Sequence, residues 1–222
     1  MLNNKKLKIG FLNKGSLRTR HEEFIVAVQK HEVDIMAVNE TWLRPDEEDC
    51  APVVPGYSLH HIPRAASTKR ERGGGVGFYI KRGISAHFLN HPATTNVEQM
   101  WLSVKINNKV IIIGTVYRPQ WLNPQTFIDA LTETFGSLKY YDSIILVGDF
   151  NIDYLNKNSI GFTALVNFLS FTGLTQHITE PTHSTAGANT LLDLFCTDTL
   201  NIQTNVDHIS DLSHHAFITG IL

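Results

Sequence analysis

The chain has 222 residues, about one and a half times the usual single-domain length, so length alone allows one or two domains. Hydrophobic residues make up 42% and charged residues 18%, ordinary globular values that exclude a disordered chain, a collagen-like repeat and a coiled coil. The net charge of −2 is unevenly spread: residues 1–84 hold 14 of the 19 Lys and Arg against 10 acids, and residues 85–222 hold 5 against 11. That asymmetry suits a polyanion-binding face beside a carboxylate-rich site, and equally suits a chance segregation of solvated charge.

From the N-terminus, Met-Leu-Asn-Asn-Lys-Lys has no apolar signal core, and residues 8–12 (Lys-Ile-Gly-Phe-Leu) read as a strand. Leu17, His21, Phe24, Ile25 and Val28 keep helical spacing, with Ser16 as the expected N-cap. Residues 35–38 form a second strand, 45–55 are the least structured stretch, and 64–75 read as an exposed loop. Strands follow at 75–80, 101–104 and 110–116; the last is continuously apolar and β-branched, as for a strand covered on both faces. Asn123-Pro124 opens a helix carrying Phe127, Ile128, Leu131, Phe135 and Leu138. After a strand at 143–147, Phe162, Leu165, Val166 and Leu169 mark a third helix that stops near Gly173. Strands at 191–196 and 216–222 close the chain. Many strands and few helices in mixed order predict one α/β domain over 1–222, with two packed mixed sheets flanked by helices. No apolar run approaches the ~18 residues of a membrane span, so no membrane partner is expected. Cys50 and Cys196 make no disulfide framework, and the expected setting is intracellular and reducing.

The informative feature is the polar residues that follow apolar runs. Phe11-Leu12 ends in Asn13, Ala37-Val38 in Asn39-Glu40, and Thr115-Val116 in Tyr117-Arg118. Residues 144–147 run into Gly148-Asp149-Phe150-Asn151, Leu191-Leu192 into Asp193, and Ser213-His214-His215 precede the last strand. Chemistry in α/β sheets gathers just beyond strand ends, where loops converge on one crevice. This set suits metal-assisted phosphate chemistry. Mg²⁺ takes one or two carboxylates plus waters and substrate phosphate, which Glu40 with Asn13 would supply. Asp149 and Asn151 could orient the attacking water, and His215 held by Asp193 could move a proton or, charged, stabilise the anion. Taken singly, each has a bland reading: a turn residue for Asp149, solvated surface for Glu40, edge packing for Tyr117. Glycines 73–75 match no nucleotide-binding loop pattern and read as a turn where backbones approach closely. Lys14, Arg18, Arg20 and the loop Lys69-Arg70-Glu71-Arg72 are candidates for a phosphodiester-backbone surface.

These motifs together resemble the endonuclease/exonuclease/phosphatase superfamily, and within it the endonuclease domain of non-LTR retrotransposons. The residues that carry the resemblance are Leu12-Asn13-Lys14-Gly15, Asn39-Glu40-Thr41-Trp42-Leu43, Arg72-Gly73-Gly74-Gly75-Val76, Val116-Tyr117-Arg118-Pro119, Gly148-Asp149-Phe150-Asn151 and Leu192-Asp193, in family order. The resemblance implies a four-layered α/β sandwich of the deoxyribonuclease type. It places Glu40 and Asn13 near a metal (Mg²⁺, with Mn²⁺ as the alternative), Tyr117 on the phosphate, and Asp149 and Asn151 around the nucleophile. Asp193 would orient His215, and of the basic candidates the resemblance raises only Arg72 clearly; Arg18, Lys14 and Arg118 are further candidates to meet the DNA. The implied activity is nicking one strand of double-stranded nuclear DNA to leave a 3′-hydroxyl that primes reverse transcription. The implied context is an N-terminal domain cut from a polyprotein with a reverse transcriptase in cis, monomeric when isolated.

One position departs from the pattern. The family closes on Ser-Asp-His, and this chain has Ser213-His214-His215. Imidazole is a poor Mg²⁺ ligand but accepts softer ions. A tolerated substitution, an altered metal preference and a damaged element are the three readings. The alternatives to a retrotransposon nickase are an abasic-site repair endonuclease, a lipid phosphoesterase of the same superfamily, and a DNA-binding domain weakened by His214.

Overall fold

The structure is a computed structural model and describes residues 6–65, 73–92 and 97–222. In chain order the first sheet collects β1 (Lys8–Asn13), β2 (Ile35–Asn39), β3 (Tyr57–Ile62) and β4 (Val76–Lys81), with α1 (His21–His31) between β1 and β2. The second collects β5 (Ala86–Phe88), β6 (Glu98–Ile106), β7 (Lys109–Tyr117) and β8 (Ser143–Asp149), with α2 (Pro124–Ser137) between β7 and β8. α3 (Ile160–Thr172), β9 (Thr175–Gln176), a small hairpin of β10 (His183–Thr185) and β11 (Ala188–Thr190), β12 (Asp193–Thr197), β13 (Gln203–Asp207) and β14 (Phe217–Ile221) complete the chain. The six-stranded sheets run β13-β14-β1-β2-β4-β3 and β5-β6-β7-β8-β12-β9. Each has a parallel pair at its centre, β1 with β2 and β7 with β8, and each pair is joined through a helix as parallel strands require.

Side-chain alternation explains the layering. Ile9, Phe11, Ile35, Ala37, Val76 and Phe78 face the second sheet, whereas Leu12, Met36, Val38 and Tyr79 face α1 through Phe24 and Val28. On the outer face of the second sheet, Phe135 of α2 meets Trp101 and Phe168 edge-on, with ring centroids 5.5 and 5.2 Å apart. The layers are therefore helix, sheet, sheet, helices: the expected α/β sandwich. All eight strands predicted from the sequence are present. The second helix begins where expected, with Asn123 as side-chain cap, and Gly173 ends α3 in the left-handed conformation at the expected stop; the Ser159 cap of α3 is not among those expected from the sequence. Ser16 is not the cap of α1. That helix starts later, behind a left-handed Arg20 with no side-chain cap, and the Ser16 hydroxyl instead accepts from the Arg18 N–H at 3.2 Å. Cys50 and Cys196 are both free, and no helix among the described residues is long and apolar enough to cross a membrane.

Gly148 fixes how β8 delivers Asp149. A Cβ built there would lie 2.0 Å from the Val116 carbonyl oxygen, in the backbone of the parallel partner β7. That neighbour cannot yield without breaking the β7–β8 ladder. Gly148→Ala is expected to destabilise the fold by about 3 kcal/mol, at the upper end for overpacking. A denaturant midpoint equal to that of the parent chain would refute this.

Candidate active site

The parallel registers pair Asn13 with Asn39 and Tyr117 with Asp149, so four polar residues leave the two sheets at the same end. Asp193, at the start of antiparallel β12, pairs with Asp149 and joins them. Asn39, fully buried, bolts the sheets together there: its amide donates to Thr115 Oγ1 at 3.0 Å and its oxygen accepts the Asp149 N–H at 2.9 Å. No role for Asn39 could be read from the sequence, because a side chain spanning two sheets has no local signature.

Around that junction the expected residues meet. Asn13 Nδ2 donates to Asp149 Oδ2 at 2.8 Å and to Glu40 Oε1 at 3.4 Å. The Tyr117 hydroxyl donates to Glu40 Oε1 at 2.6 Å, and Trp42 Nε1 donates to Glu40 Oε2 at 2.7 Å. Burial, then the Glu40 carboxylate, raise the Tyr117 phenol far above its ordinary value, so it remains a donor. Asn151 wraps Asp149 with its N–H at 2.8 Å and its amide at 3.2 Å. Burial raises the Asp149 carboxyl well above its usual range, and the neighbouring Asp193 raises it further. Glu40, Trp42 and Asn151 all hold left-handed backbone at φ 53°, 55° and 46°, a strain tolerated where a site demands it. The glycine turn supports that strand end: Thr41 and Trp42 donate their N–H groups to the carbonyls of Gly75 and Gly74. Gly75 lies at φ +85° with Thr41 Oγ1 2.3 Å from where a Cβ would stand, so the close backbone approach read from the sequence is what the fold uses.

His215 Nδ1 lies 2.8 and 3.1 Å from the two oxygens of the fully buried Asp193. Burial opposes charge on the imidazole, but the Asp193 carboxylate outweighs it and lifts His215 to about 9. Thr182 Oγ1 accepts the N–H groups of Leu192 and Asp193 and holds the carboxylate's backbone. Ser213 ties the last loop to β1, donating to the Asn13 carbonyl at 2.6 Å and accepting the His215 N–H at 3.1 Å. His183, on the hairpin, stacks obliquely on His215 with centroids 4.6 Å apart. Thr182, His183 and Ser213 were given no role from the sequence, since ordinary hydroxyls and one of eleven histidines carry no spacing signal. His214 is exposed and lines a depression with Asn13, Glu40 and His215.

The basic candidates fare differently. Arg118 is buried and donates to the carbonyls of Phe150, Pro119, Leu122 and Asn151, so it braces the Asp149–Asn151 turn and offers no charge to a ligand. Lys14 is buried with Nζ 3.1 Å from the carbonyls of Ser16 and Thr19, and burial lowers it to about 8. Both corrections have one cause: strand-end loops expose carbonyls that need donors, and the nearest long cation supplies them. Arg18 is exposed and pairs with Glu47 at 2.8 Å. Arg72, with Lys69 and Arg70, lies outside the described residues.

The donor set suits a hard divalent cation on the Glu40 side. Glu40 and Asp149 are bridged by one neutral amide, and among the described residues neither pairs with a Lys or Arg. Asn13 turns its amide nitrogen to both carboxylates, which makes it an organiser of the carboxylates in this arrangement. The cluster Asp149, Asp193 and His215 also brings three possible ligand atoms within 4.8 Å, but His215 Nδ1 and Asp193 are committed to each other. A cleft of about 250 Å³ opens over Glu40, Tyr117, Asp149, Asn151 and His215, walled by Trp42, Arg64 and Trp121.

The endonuclease/exonuclease/phosphatase family matches this chain over residues 11–211. The RNA-directed DNA polymerase from mobile element jockey of Drosophila funebris is 25% identical over 149 residues, 65% of this chain and 15% of that protein. Its Drosophila melanogaster counterpart is 27% identical over 150 residues, with the same coverage. The chain thus spans about 15% of the length of these relatives. The endonuclease domain of TRAS1, a telomere-specific non-LTR retrotransposon, shares the fold with a TM-score of 0.72 at 14% identity, over 96% of this chain and 97% of that one. A 3′-5′ exonuclease from Neisseria meningitidis shares it at 0.69 and 18% identity, over 96% and 98%.

Proposed function

This chain belongs to the endonuclease/exonuclease/phosphatase family, and from that premise we propose that it is the endonuclease domain of a non-LTR retrotransposon, hydrolysing one strand of duplex DNA with a divalent metal. The observation that carries the reading is the convergence of Asn13, Glu40, Tyr117, Asp149, Asn151 and the His215–Asp193 pair on one cleft. The jockey relatives and the TRAS1 domain favour the retrotransposon branch and a reverse transcriptase in cis; nuclear DNA is the proposed target.

Glu40 would hold the metal, Mg²⁺ or Mn²⁺, with Asn13 ordering its carboxylate; bound there, the metal supplies Lewis-acid polarisation of the phosphate. Asp149, its proton affinity raised by burial, accepts the proton of a water that Asn151 helps to aim. Tyr117, whose hydroxyl donates to Glu40 in this structure, would turn that hydroxyl to a phosphate oxygen. His215 is an imidazolium at neutral pH, so it stabilises the developing anion and protonates the leaving oxygen rather than taking a proton. The departing oxygen is the 3′-oxygen, which leaves a 3′-hydroxyl able to prime reverse transcription.

Parallel cleavage of an intact duplex and one with a single abasic site tests the reading. A retrotransposon nickase cuts the intact duplex at a comparable rate. Cleavage confined to the abasic duplex would replace it with a repair endonuclease.

A further inference from the structure

Among the described residues, Lys14 and Arg118 turn inward, Arg18 is held by Glu47, and none of these, nor Arg20, lines the cleft. Among the described residues that line it, Arg64 is the only Lys or Arg. It follows β3 and reaches back so that Nε meets Glu98 Oε1 at 2.6 Å. Glu98 stands opposite Tyr117 across the β6–β7 ladder, and its other oxygen accepts the Gly75 N–H. The guanidinium carbon lies 5.9 Å from the Tyr117 ring centroid, within cation–π range. A Cβ on Gly74 would collide with Arg64 and Glu98 at 2.5 Å, so the glycine turn is shaped to admit the pair.

The Arg64 and Glu98 side chains are 8% and 9% exposed. An ion pair this buried adds little stability over apolar side chains of similar volume, so its place at the cleft wall asks for another reason. Arg64, Trp42 and Gly73 also line a second, larger groove of about 960 Å³ that carries Arg18 and Arg44. Arg64 therefore stands where the cleft over Glu40 and Asp149 meets that groove.

We infer that Arg64 is a phosphate-binding residue, its guanidinium posed by Glu98 and the Tyr117 face to contact the phosphodiester next to the one being cut. This rests on the endonuclease reading above. The planar fork of Arg matches phosphate geometry, and Glu98 fixes its orientation before DNA arrives.

The test is equilibrium binding of the full chain to a fluorescent duplex without divalent metal, over a series of salt concentrations. Each neutralised phosphate contributes about 0.9 to the slope of log affinity against log salt. Arg64→Met with Glu98→Met removes both charges, leaves neither buried alone, and is expected to keep the far-UV spectrum while making the slope shallower by about 1. Arg64→Lys, which keeps the charge, is expected to retain the parent slope. A parent-like slope in the folded double variant overturns the inference and leaves Arg64 a structural brace. If the parent chain binds no duplex even at low salt, the endonuclease reading itself fails and the inference goes with it.

Discussion

Asp149→Asn is expected to lower single-turnover cleavage of duplex DNA by about 10³-fold with the fold intact. The substituted side chain is isosteric, so the loss tests charge and proton affinity rather than shape. Asp149 accepts from Asn13 Nδ2, Asn151 N–H and Asn151 Nδ2, and an amide in its place sets one NH₂ against donors. That mismatch costs roughly 1–3 kcal/mol. Against it, the substitution removes a fully buried charge that both burial and Asp193 disfavour. The two effects oppose each other, so the melting temperature is expected to move little while the chemistry collapses. A variant that cleaves within tenfold of the parent would remove Asp149 from the reaction.

Asp193→Asn should act through His215, and here the pH dependence gives the distinctive signal. His215 binds its proton more tightly folded, at about 9, than an unfolded imidazole near 6.5. The stabilisation is therefore fully present below about 6.5 and is lost as pH rises through about 9, a contribution of roughly 3 kcal/mol. In D193N the imidazole loses the charge that outweighed its burial and keeps only the pull of Asp149 and Glu40, so its proton affinity falls and that loss of stability between 6.5 and 9 shrinks. Cleavage at neutral pH is expected to fall by about 10²-fold, because an imidazole less fully charged and free to turn is a poorer stabiliser of the anion and a poorer donor to the leaving oxygen. Titration of the His215 ring resonances in both proteins checks this directly. A midpoint in D193N equal to that of the parent would mean Asp193 neither charges nor orients the histidine.

The parts of the fold legible in the sequence are those set by local periodicity. The central strands alternate or run apolar because one or both faces are covered, and the α2 and α3 caps are short-range chemistry. β3 escaped because an edge strand carrying Ser58, His60 and His61 buries only alternate residues partly. The β10–β11 hairpin escaped because His-Ser-Thr and Ala-Asn-Thr have no apolar face at all. The first helix cap failed because Ser16 found a nearer N–H in its own turn, a competition that hydroxyl side chains often resolve that way.

At the site, the residue types after strand ends predicted the convergence, since parallel strands deliver their ends to one edge. What the sequence could not supply was direction. Arg118 and Lys14 follow Tyr117 and Asn13 as plausible cations, yet each bends back to carbonyls of its own loops. Arg64 sits in a stretch with no pattern, and only the fold brings it across β6 to Glu98 and Tyr117. His214, singled out as a departure, lies exposed beside the Glu40 side of the site, outside the His215–Asp193 pair.

The most direct test of the account is conversion of supercoiled plasmid to open circles by the full chain in Mg²⁺ and separately in Mn²⁺, with D149N alongside. Open circles are expected in the presence of metal, none with chelator, and none with D149N; faster conversion in Mn²⁺ than in Mg²⁺ is the result expected if His214 alters the metal preference. Intact supercoils in both metals, from a chain that still binds DNA, would contradict it and leave a DNA-binding domain without cleavage.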